Sequence, residues 1–158
     1  MIGRIVVQIQ SALLSNRYPL PIDDADMPRL GLVPADLRIL IVNEDMRSAD
    51  SLKRTLGELG YHTTLTAYSA KRALAAAADF SPSVALLDLE LPDMTGYQLA
   101  HKLRSHLVSF IRRVPLLAIA ERPLFGNREL ARAAGFVGCL TKPVKPMELN
   151  RLLRGLNG

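Results

Sequence analysis

Hydrophobic and polar positions along this chain form short apolar runs that alternate with amphipathic stretches. The apolar runs predict five strands, at 38–43, 62–66, 84–88, 115–120 and 137–141. The amphipathic stretches predict five helices, at 46–59, 69–79, 96–107, 125–134 and 146–156. Strands that alternate with helices in this way predict an α/β fold, in which helices cover both faces of a parallel sheet.

Leucine spacing and a glycine define two of the predicted helices more closely. Leu99, Leu103 and Leu107 lie on one face of the third helix, which we expect to be buried. The first helix is expected to end at Leu59, because Gly60 directly after it is typical of a C-terminal cap.

Residues 1–36 do not follow this alternation. The apolar residues of Gly3–Leu14 have helical spacing, although a strand over 6–9 is an alternative. Residues 16–34 contain four prolines and an acidic cluster, which is typical of an extended linker. We therefore expect an N-terminal helix and a proline-rich linker in 1–36, followed by one folded domain in 37–158.

Charge is distributed unevenly along the chain. Residues 1–100 contain 9 basic and 12 acidic residues, whereas residues 101–158 contain 11 and 3. A basic segment can attract an acidic partner or nucleic acid. Because the basic residues are dispersed and no aromatic is interleaved with them, a solvated surface is the favoured interpretation and nucleic-acid binding the less favoured one.

The cysteine content and the hydropathy of the chain indicate the cellular compartment in which we expect the protein. The single cysteine, Cys139, permits no internal disulfide, which fits a reducing compartment. The apolar N-terminal stretch is too short to span a bilayer and has no cleavage site, so we expect no membrane segment and a cytoplasmic protein.

Three polar segments follow apolar runs and carry the candidate chemistry. Asn43, Glu44 and Asp45 follow the first predicted strand. Asp88 ends the third strand, and a turn from Pro92 to Gly96 then opens a helix. Leu140-Thr141-Lys142-Pro143 ends the fifth strand. A carboxylate at the end of an apolar strand, followed by such a turn, is typical of a phosphoryl acceptor.

In their order and spacing, these segments resemble the receiver domain of two-component response regulators, over residues 37–156. The resemblance implies a flavodoxin-like fold with five parallel strands in the order 2-1-3-4-5, here with an N-terminal helical extension. In that order the first and third strands flank the topological switch point, where ligands bind at the carboxyl ends of the strands.

That geometry would bring Glu44, Asp45 and Asp88 together, and a hard divalent cation would offset their mutual repulsion. The resemblance implies Mg²⁺ as the cofactor, bound by Glu44, Asp88 and the backbone carbonyl of Glu90. Asn43 stands where the family usually has another acid, so we expect weakened affinity. Helix capping is the alternative for Glu44 and the favoured role for Asp45.

The resemblance also assigns roles to Asp88 and Lys142. Asp88 would be the phosphoacceptor, and the Lys142 ammonium would contact its carboxylate and then the acyl phosphate. The bond between Lys142 and Pro143 would be cis. The alternative for Lys142 is a solvated lysine at the end of a strand.

Two positions depart from the family pattern. Ala120 replaces the hydroxyl residue after the fourth strand, which normally binds a phosphoryl oxygen. Cys139 replaces the switch aromatic before the end of the fifth strand. We therefore expect a phosphorylation signal to travel differently from the usual relay, or not at all.

The resemblance implies that the chain is a receiver domain and not an enzyme. It would accept a phosphoryl group on Asp88 from a histidine kinase or phosphotransfer protein and signal by contact with an unidentified output protein. Because the chain ends at Gly158, just after the last predicted helix, we expect the receiver to stand alone. A receiver-like module that works without phosphorylation is the alternative, and a homodimer contact through the N-terminal helix stays open.

Overall fold

The computed structural model describes residues 37–123 and 128–157. The predicted N-terminal helix and linker lie outside these residues, as do the first three residues of the predicted helix at 125–134. The boundary predicted between a 1–36 extension and a 37–158 domain therefore stays a prediction.

Strands and helices alternate through the described chain as the hydrophobic pattern predicts. In chain order the elements are β1 (Arg38–Val42), α1 (Met46–Glu58), β2 (Thr63–Ala67), α2 (Ala70–Phe80), β3 (Val84–Asp88), α3 (Gly96–Arg104), α4 (Ser109–Arg112), β4 (Leu116–Ala120), α5 (Arg128–Ala134), β5 (Phe136–Thr141) and α6 (Pro146–Asn157). The strand bounds lie within one residue of the predicted ones at either end.

The five strands form one parallel sheet in the order β2-β1-β3-β4-β5. This order confirms the flavodoxin-like fold. The direction of the strand order reverses between β1 and β3, so the loops after these two strands diverge and leave a crevice at the carboxyl edge.

Side chains along each strand alternate between the two faces of the sheet, and each face has its own core. Leu40 and Val42 of β1 point to one face, whereas Ile39 and Ile41 point to the other. Helices α2, α3 and α5 cover the first face, largely with alanine: Ala70, Ala73, Ala77, Ala100, Ala131 and Ala134. Helices α1 and α6 cover the second face with leucine: Leu52, Leu56, Leu149, Leu152, Leu153 and Leu156.

The end of α1 confirms the predicted cap. Gly60 follows the last turn with a φ of +97°, in the left-handed region that glycine adopts without strain. The Gly60 amide donates to the carbonyl of Gly57 at 3.0 Å, which closes the helix.

The third helix was predicted three residues too long. It ends at Arg104 instead of 107, and Leu107 is 95% exposed instead of packing with Leu99 and Leu103. The Arg104 guanidinium donates to the carbonyls of Arg112 and Val114, which binds the segment after the helix back against its end. The short helix α4 in this segment was not predicted.

Candidate functional site

Asp88 ends the central strand β3 and is buried, with 2% of its surface exposed. Its Oδ1 accepts a hydrogen bond from the backbone amide of Glu90 at 2.9 Å. Burial of a carboxylate is costly unless the group is paired, so the position requires a cationic partner.

Lys142 provides that partner from the loop after β5. Its Nζ lies 2.7 Å from Asp88 Oδ2 and 2.9 Å from Glu121 Oε1. Burial by itself lowers the pKa of Lys142, but hydrogen bonds to the two carboxylates outweigh burial and raise it above the usual value. The Lys142 amide also donates to the carbonyl of Ala120, and the bond to Pro143 is cis, as the resemblance implied.

Glu121 was not among the residues selected from the sequence. It directly follows β4, and the adjacency of β3, β4 and β5 in the sheet brings it to the same edge as Asp88 and Lys142. Its position after a strand was the available signal, because the carboxyl ends of parallel strands meet at one edge.

The segment after β1 contains one buried amide and two exposed acids. Asn43 is buried, and its Oδ1 accepts from the backbone amide of Asp45 at 2.9 Å. Asp45 accepts in turn from the Ser48 hydroxyl and the Arg47 amide at the start of α1, and these bonds lower the pKa of Asp45. The capping role of Asp45 is confirmed, and Glu44 remains as an exposed carboxylate.

The loop from Asp88 to α3 is held by a close contact and a capping box. A Cβ built on Gly96 would lie 2.5 Å from the Asp88 carbonyl oxygen and 2.8 Å from the Leu89 Cα. Thr95 and Gln98 form reciprocal side-chain to backbone hydrogen bonds at the start of α3. The Asp88 carboxylate is thus followed by a loop that packs directly against the Asp88 backbone.

Asp93 joins this loop to a second helix. Its carboxylate accepts from the amides of Ala70 and Lys71 at 3.0 and 2.9 Å, at the start of α2. The hydrogen bond from Lys71 is the main reason that the pKa of Asp93 is lowered.

The residues predicted to bind Mg²⁺ fit the ion by their chemistry. In 37–123 and 128–157, no three acidic, histidine or cysteine side chains form a group that could bind a metal. Mg²⁺ requires no such group, since it keeps several waters and is commonly bound through one or two carboxylates. Glu44, Asp88 and the Glu90 carbonyl offer oxygen ligands of that kind.

The two departing positions lie on the neighbouring strands β4 and β5, offset by two residues in the register. Ala120 ends β4 and is buried, and Cys139 pairs with Ala118 across the strands. Burial raises the pKa of the Cys139 thiol to about 11, so the sulfur stays protonated at neutral pH.

Comparison with known proteins gives a consistent result. A family profile described as the response regulator receiver domain matches residues 39–154. An uncharacterized 14.6 kDa protein of Leptolyngbya boryana is 32% identical over 76% of this chain and 89% of its own length. The probable transcriptional regulatory protein TcrX of Mycobacterium tuberculosis is 32% identical over 75% of this chain and 48% of its own.

Solved structures show the same fold. Chemotaxis protein CheY4 of Vibrio cholerae matches with a TM-score of 0.68 and 26% identity, over 74% of this chain and 95% of its own. The receiver domain of sensor histidine kinase PA1611 from Pseudomonas aeruginosa was solved with magnesium in its active site cleft. It matches with a TM-score of 0.67 and 29% identity, over 77% of this chain and 98% of its own.

Two further facts bear on what these likenesses imply. The chain spans about half the length of the curated transcriptional regulators that it matches. Within 37–123 and 128–157, no helix is both long and apolar enough to cross a membrane.

Proposed function

Because this chain belongs to the family of response regulator receiver domains, we propose that it accepts a phosphoryl group on Asp88 and signals through contact with another protein. The observation that carries this proposal is the buried Asp88 carboxylate, held 2.7 Å from the Lys142 ammonium at the carboxyl edge of the sheet. The histidine kinase or phosphotransfer protein that the family implies would be the donor.

The transfer itself asks for little covalent chemistry from the protein. An oxygen of Asp88 forms a bond to phosphorus as the bond from phosphorus to the donor's imidazole nitrogen breaks. The nitrogen keeps the electron pair, and Asp88 becomes an acyl phosphate. Lys142 would contact the phosphoryl oxygens as a point charge, since it already lies against the acceptor carboxylate.

Mg²⁺ would be bound by Glu44, Asp88 and the backbone carbonyl of Glu90. When bound, it neutralises negative charge that develops on the phosphoryl oxygens. Asn43 contributes no charge, and its Oδ1 already accepts from the Asp45 amide, so we propose that affinity for the ion is weakened. The magnesium-bound PA1611 receiver domain supports this choice of cofactor.

Ala120 and Cys139 favour a second candidate, a receiver-like module that binds its partner without phosphorylation. Neither side chain can act as the family's switch residues do, because alanine has no hydroxyl and cysteine has no ring. In both candidates the output is a protein contact. We place the protein in the cytoplasm, where the free Cys139 thiol would stay reduced.

Incubation with acetyl phosphate and Mg²⁺, followed by intact mass measurement, tests the proposal. We expect the wild type to gain the mass of one phosphoryl group and Asp88→Asn to gain none. Asp79→Asn removes an exposed acid of the same kind from α2 and should behave as the wild type. Lys142→Met should slow the gain, because the phosphoryl oxygens lose their cation.

A wild type that gains no mass, or an Asp88→Asn variant that gains as much as the wild type, would contradict the proposal. The first result would favour the phosphorylation-independent module.

A further inference from the structure

The Lys142 ammonium binds two carboxylates that differ sharply in environment. The Asp88 side chain is 3% exposed, whereas that of Glu121 is 55% exposed. Because both oxygens contact one nitrogen, they are separated by no more than the sum of the two contact distances, 2.7 and 2.9 Å. A group approaching Asp88 from solvent next to Lys142 therefore meets a second negative charge.

The last residue of β4 and the residue after it determine how this part of the site interacts with a phosphoryl group. A serine or threonine hydroxyl at position 120 could donate a hydrogen bond to a phosphoryl oxygen, but Ala120 cannot. The next residue, Glu121, has a carboxylate that pairs with the Lys142 ammonium, and a carboxylate only accepts hydrogen bonds. This part of the site therefore opposes an incoming phosphoryl dianion where a hydroxyl would assist it.

We propose that Glu121 restrains phosphorylation of Asp88, because its carboxylate occupies the Lys142 ammonium and repels the approaching phosphoryl dianion. Glu121 is a positioning residue, since it contacts Lys142 and is not itself the acceptor. This inference rests on the proposed function of Asp88. Its consequence is selectivity: small phosphodonors react slowly, and a donor protein with a cationic group opposite Glu121 would overcome the restraint.

The rate of phosphorylation by acetyl phosphate with Mg²⁺ tests this role. An oxygen of Asp88 bonds to phosphorus, and acetate leaves with the electron pair of the broken bond. We expect Glu121→Gln, which keeps the shape and removes the charge, to react about tenfold faster than the wild type, a change worth about 1.4 kcal/mol. Glu58→Gln, which removes an exposed charge at the end of α1, should react at the wild-type rate.

A second variant and a salt series separate charge from other causes. Glu121→Ala should also react faster, because it lacks the negative charge. It has no side-chain amide that could donate to the phosphoryl group, so its faster reaction could not come from a new hydrogen bond. The ratio of the Glu121→Gln rate to the wild-type rate should fall towards one as KCl is raised from about 0.05 to about 1 M, since salt screens exposed charges.

The outcomes distinguish this inference from the proposed function. If the wild type is phosphorylated but both Glu121 variants react at its rate or slower, the restraint is wrong and the role of Asp88 stands. Acceleration by glutamine alone, or a rate ratio that salt leaves unchanged, would also overturn it. If no variant gains a phosphoryl group, the proposed function itself fails.

Discussion

Both carboxylate oxygens of Asp93 accept hydrogen bonds from amides that lie 22 and 23 residues earlier in the sequence. A side chain from the loop after β3 thereby satisfies two of the amides that the first turn of α2 leaves without a partner. Ser69 caps the same helix by accepting from Arg72. The start of α2 is thus fixed both by its own flanking residue and by the loop that carries Asp88.

The lowered pKa of Asp93 predicts how acid affects stability. An acid whose pKa is lower in the folded state stabilises that state above its unfolded value of 3.8, and the contribution is lost as pH falls through the lower folded value. We expect Asp93→Asn to be less stable than the wild type at pH 7, with a difference that narrows below pH 3.8. Urea unfolding at pH 7 and at acid pH measures this.

Asp79→Asn, at the other end of α2, controls for the loss of one negative charge. A constant stability difference between Asp93→Asn and the wild type at both pH values would contradict the assignment, because it would show that the charge of Asp93 does not contribute.

Among residues 37–123 and 128–157, Arg104 binds three carbonyl groups and no carboxylate. Its guanidinium donates to Arg112, Val114 and Gly135 at 2.7 to 2.8 Å, and burial lowers its pKa to about 10, so it stays charged at neutral pH. We expect Arg104→Met to lower the free energy of unfolding by about 2–4 kcal/mol, because two half-buried carbonyls and one exposed carbonyl lose a charged donor. Denaturant titration measures the change.

Arg132→Met on the exposed side of α5 is the matched control and should change stability by less than about 0.5 kcal/mol. Equal effects of the two substitutions would show that the loss of positive charge, and not the three hydrogen bonds, is responsible.

The residues of the site differ in how far the sequence could predict them. Asp88 ends one apolar strand and Lys142 follows another, so their meeting at one edge of the sheet follows from the strand order that the resemblance implied. Glu121 also follows a strand, but a lone exposed acid carries no further signal. Arg104 could not be predicted, because its partners are backbone carbonyls, which every residue has.

At the scale of elements, two helical glycines occupy opposite environments. A Cβ at Gly96, the first residue of α3, would collide with the backbone of Asp88 and Leu89, whereas a Cβ at Gly57 in α1 would meet nothing within 4 Å. The start of α3 therefore depends on glycine for close packing, and α1 does not.

We expect Gly96→Ala to destabilise the domain by about 1–3 kcal/mol, because the Asp88 loop must shift to admit the methyl group. Gly57→Ala should stabilise it by about 0.5–1 kcal/mol, since alanine favours the helix and restricts the unfolded chain. Thermal unfolding of the pair measures both values. A Gly96→Ala variant that is as stable as the wild type would contradict the close contact at Gly96, and a destabilised Gly57→Ala variant would contradict the open space at Gly57.

Helix ends were predicted less well than helix positions. The start of α3 had a signal in the sequence, because Thr95 and Gln98 have the spacing of a capping box. The end had none, since the leucine spacing continues to Leu107 although the helix stops at Arg104. At the C-terminal end of α3, the hydrogen bonds of Arg104 to distant carbonyls bind the following segment back. The spacing of the leucines gives no information about these bonds.

At the scale of the whole molecule, the strand order places the site between two independent cores. Alternation of strands and helices predicts the α/β class by itself, but many strand orders satisfy it. The order β2-β1-β3-β4-β5 came from the resemblance, and the sheet confirms it. Residues 1–36 lie outside the part of the chain that the structure describes.

A ligand that binds only the folded state raises the stability of the whole domain. At about ten times its dissociation constant, Mg²⁺ should stabilise the wild type by about 1.4 kcal/mol. For a domain of this size we expect the melting temperature to rise by about 3–6 °C. Scanning calorimetry of the wild type, Glu44→Gln and Asp88→Asn measures the rise in melting temperature. The rise should be smaller in Glu44→Gln than in the wild type and absent in Asp88→Asn.

Potassium chloride of matched ionic strength controls for general screening. An equal rise in the wild type and in Asp88→Asn would mean that the ion binds elsewhere.

The contrast between the alanine-lined and the leucine-lined face of the sheet implies that the domain tolerates mutation unequally on its two sides. On the alanine side the helices approach closely, so enlarging a side chain forces a whole helix outward, together with the Asp88 loop that α2 and α3 hold. On the leucine side the opposite change is harmful, since trimming a buried side chain leaves a void, but it does not displace the helices that hold the Asp88 loop. Natural variation that preserves signalling should therefore be found mainly beneath α1 and α6.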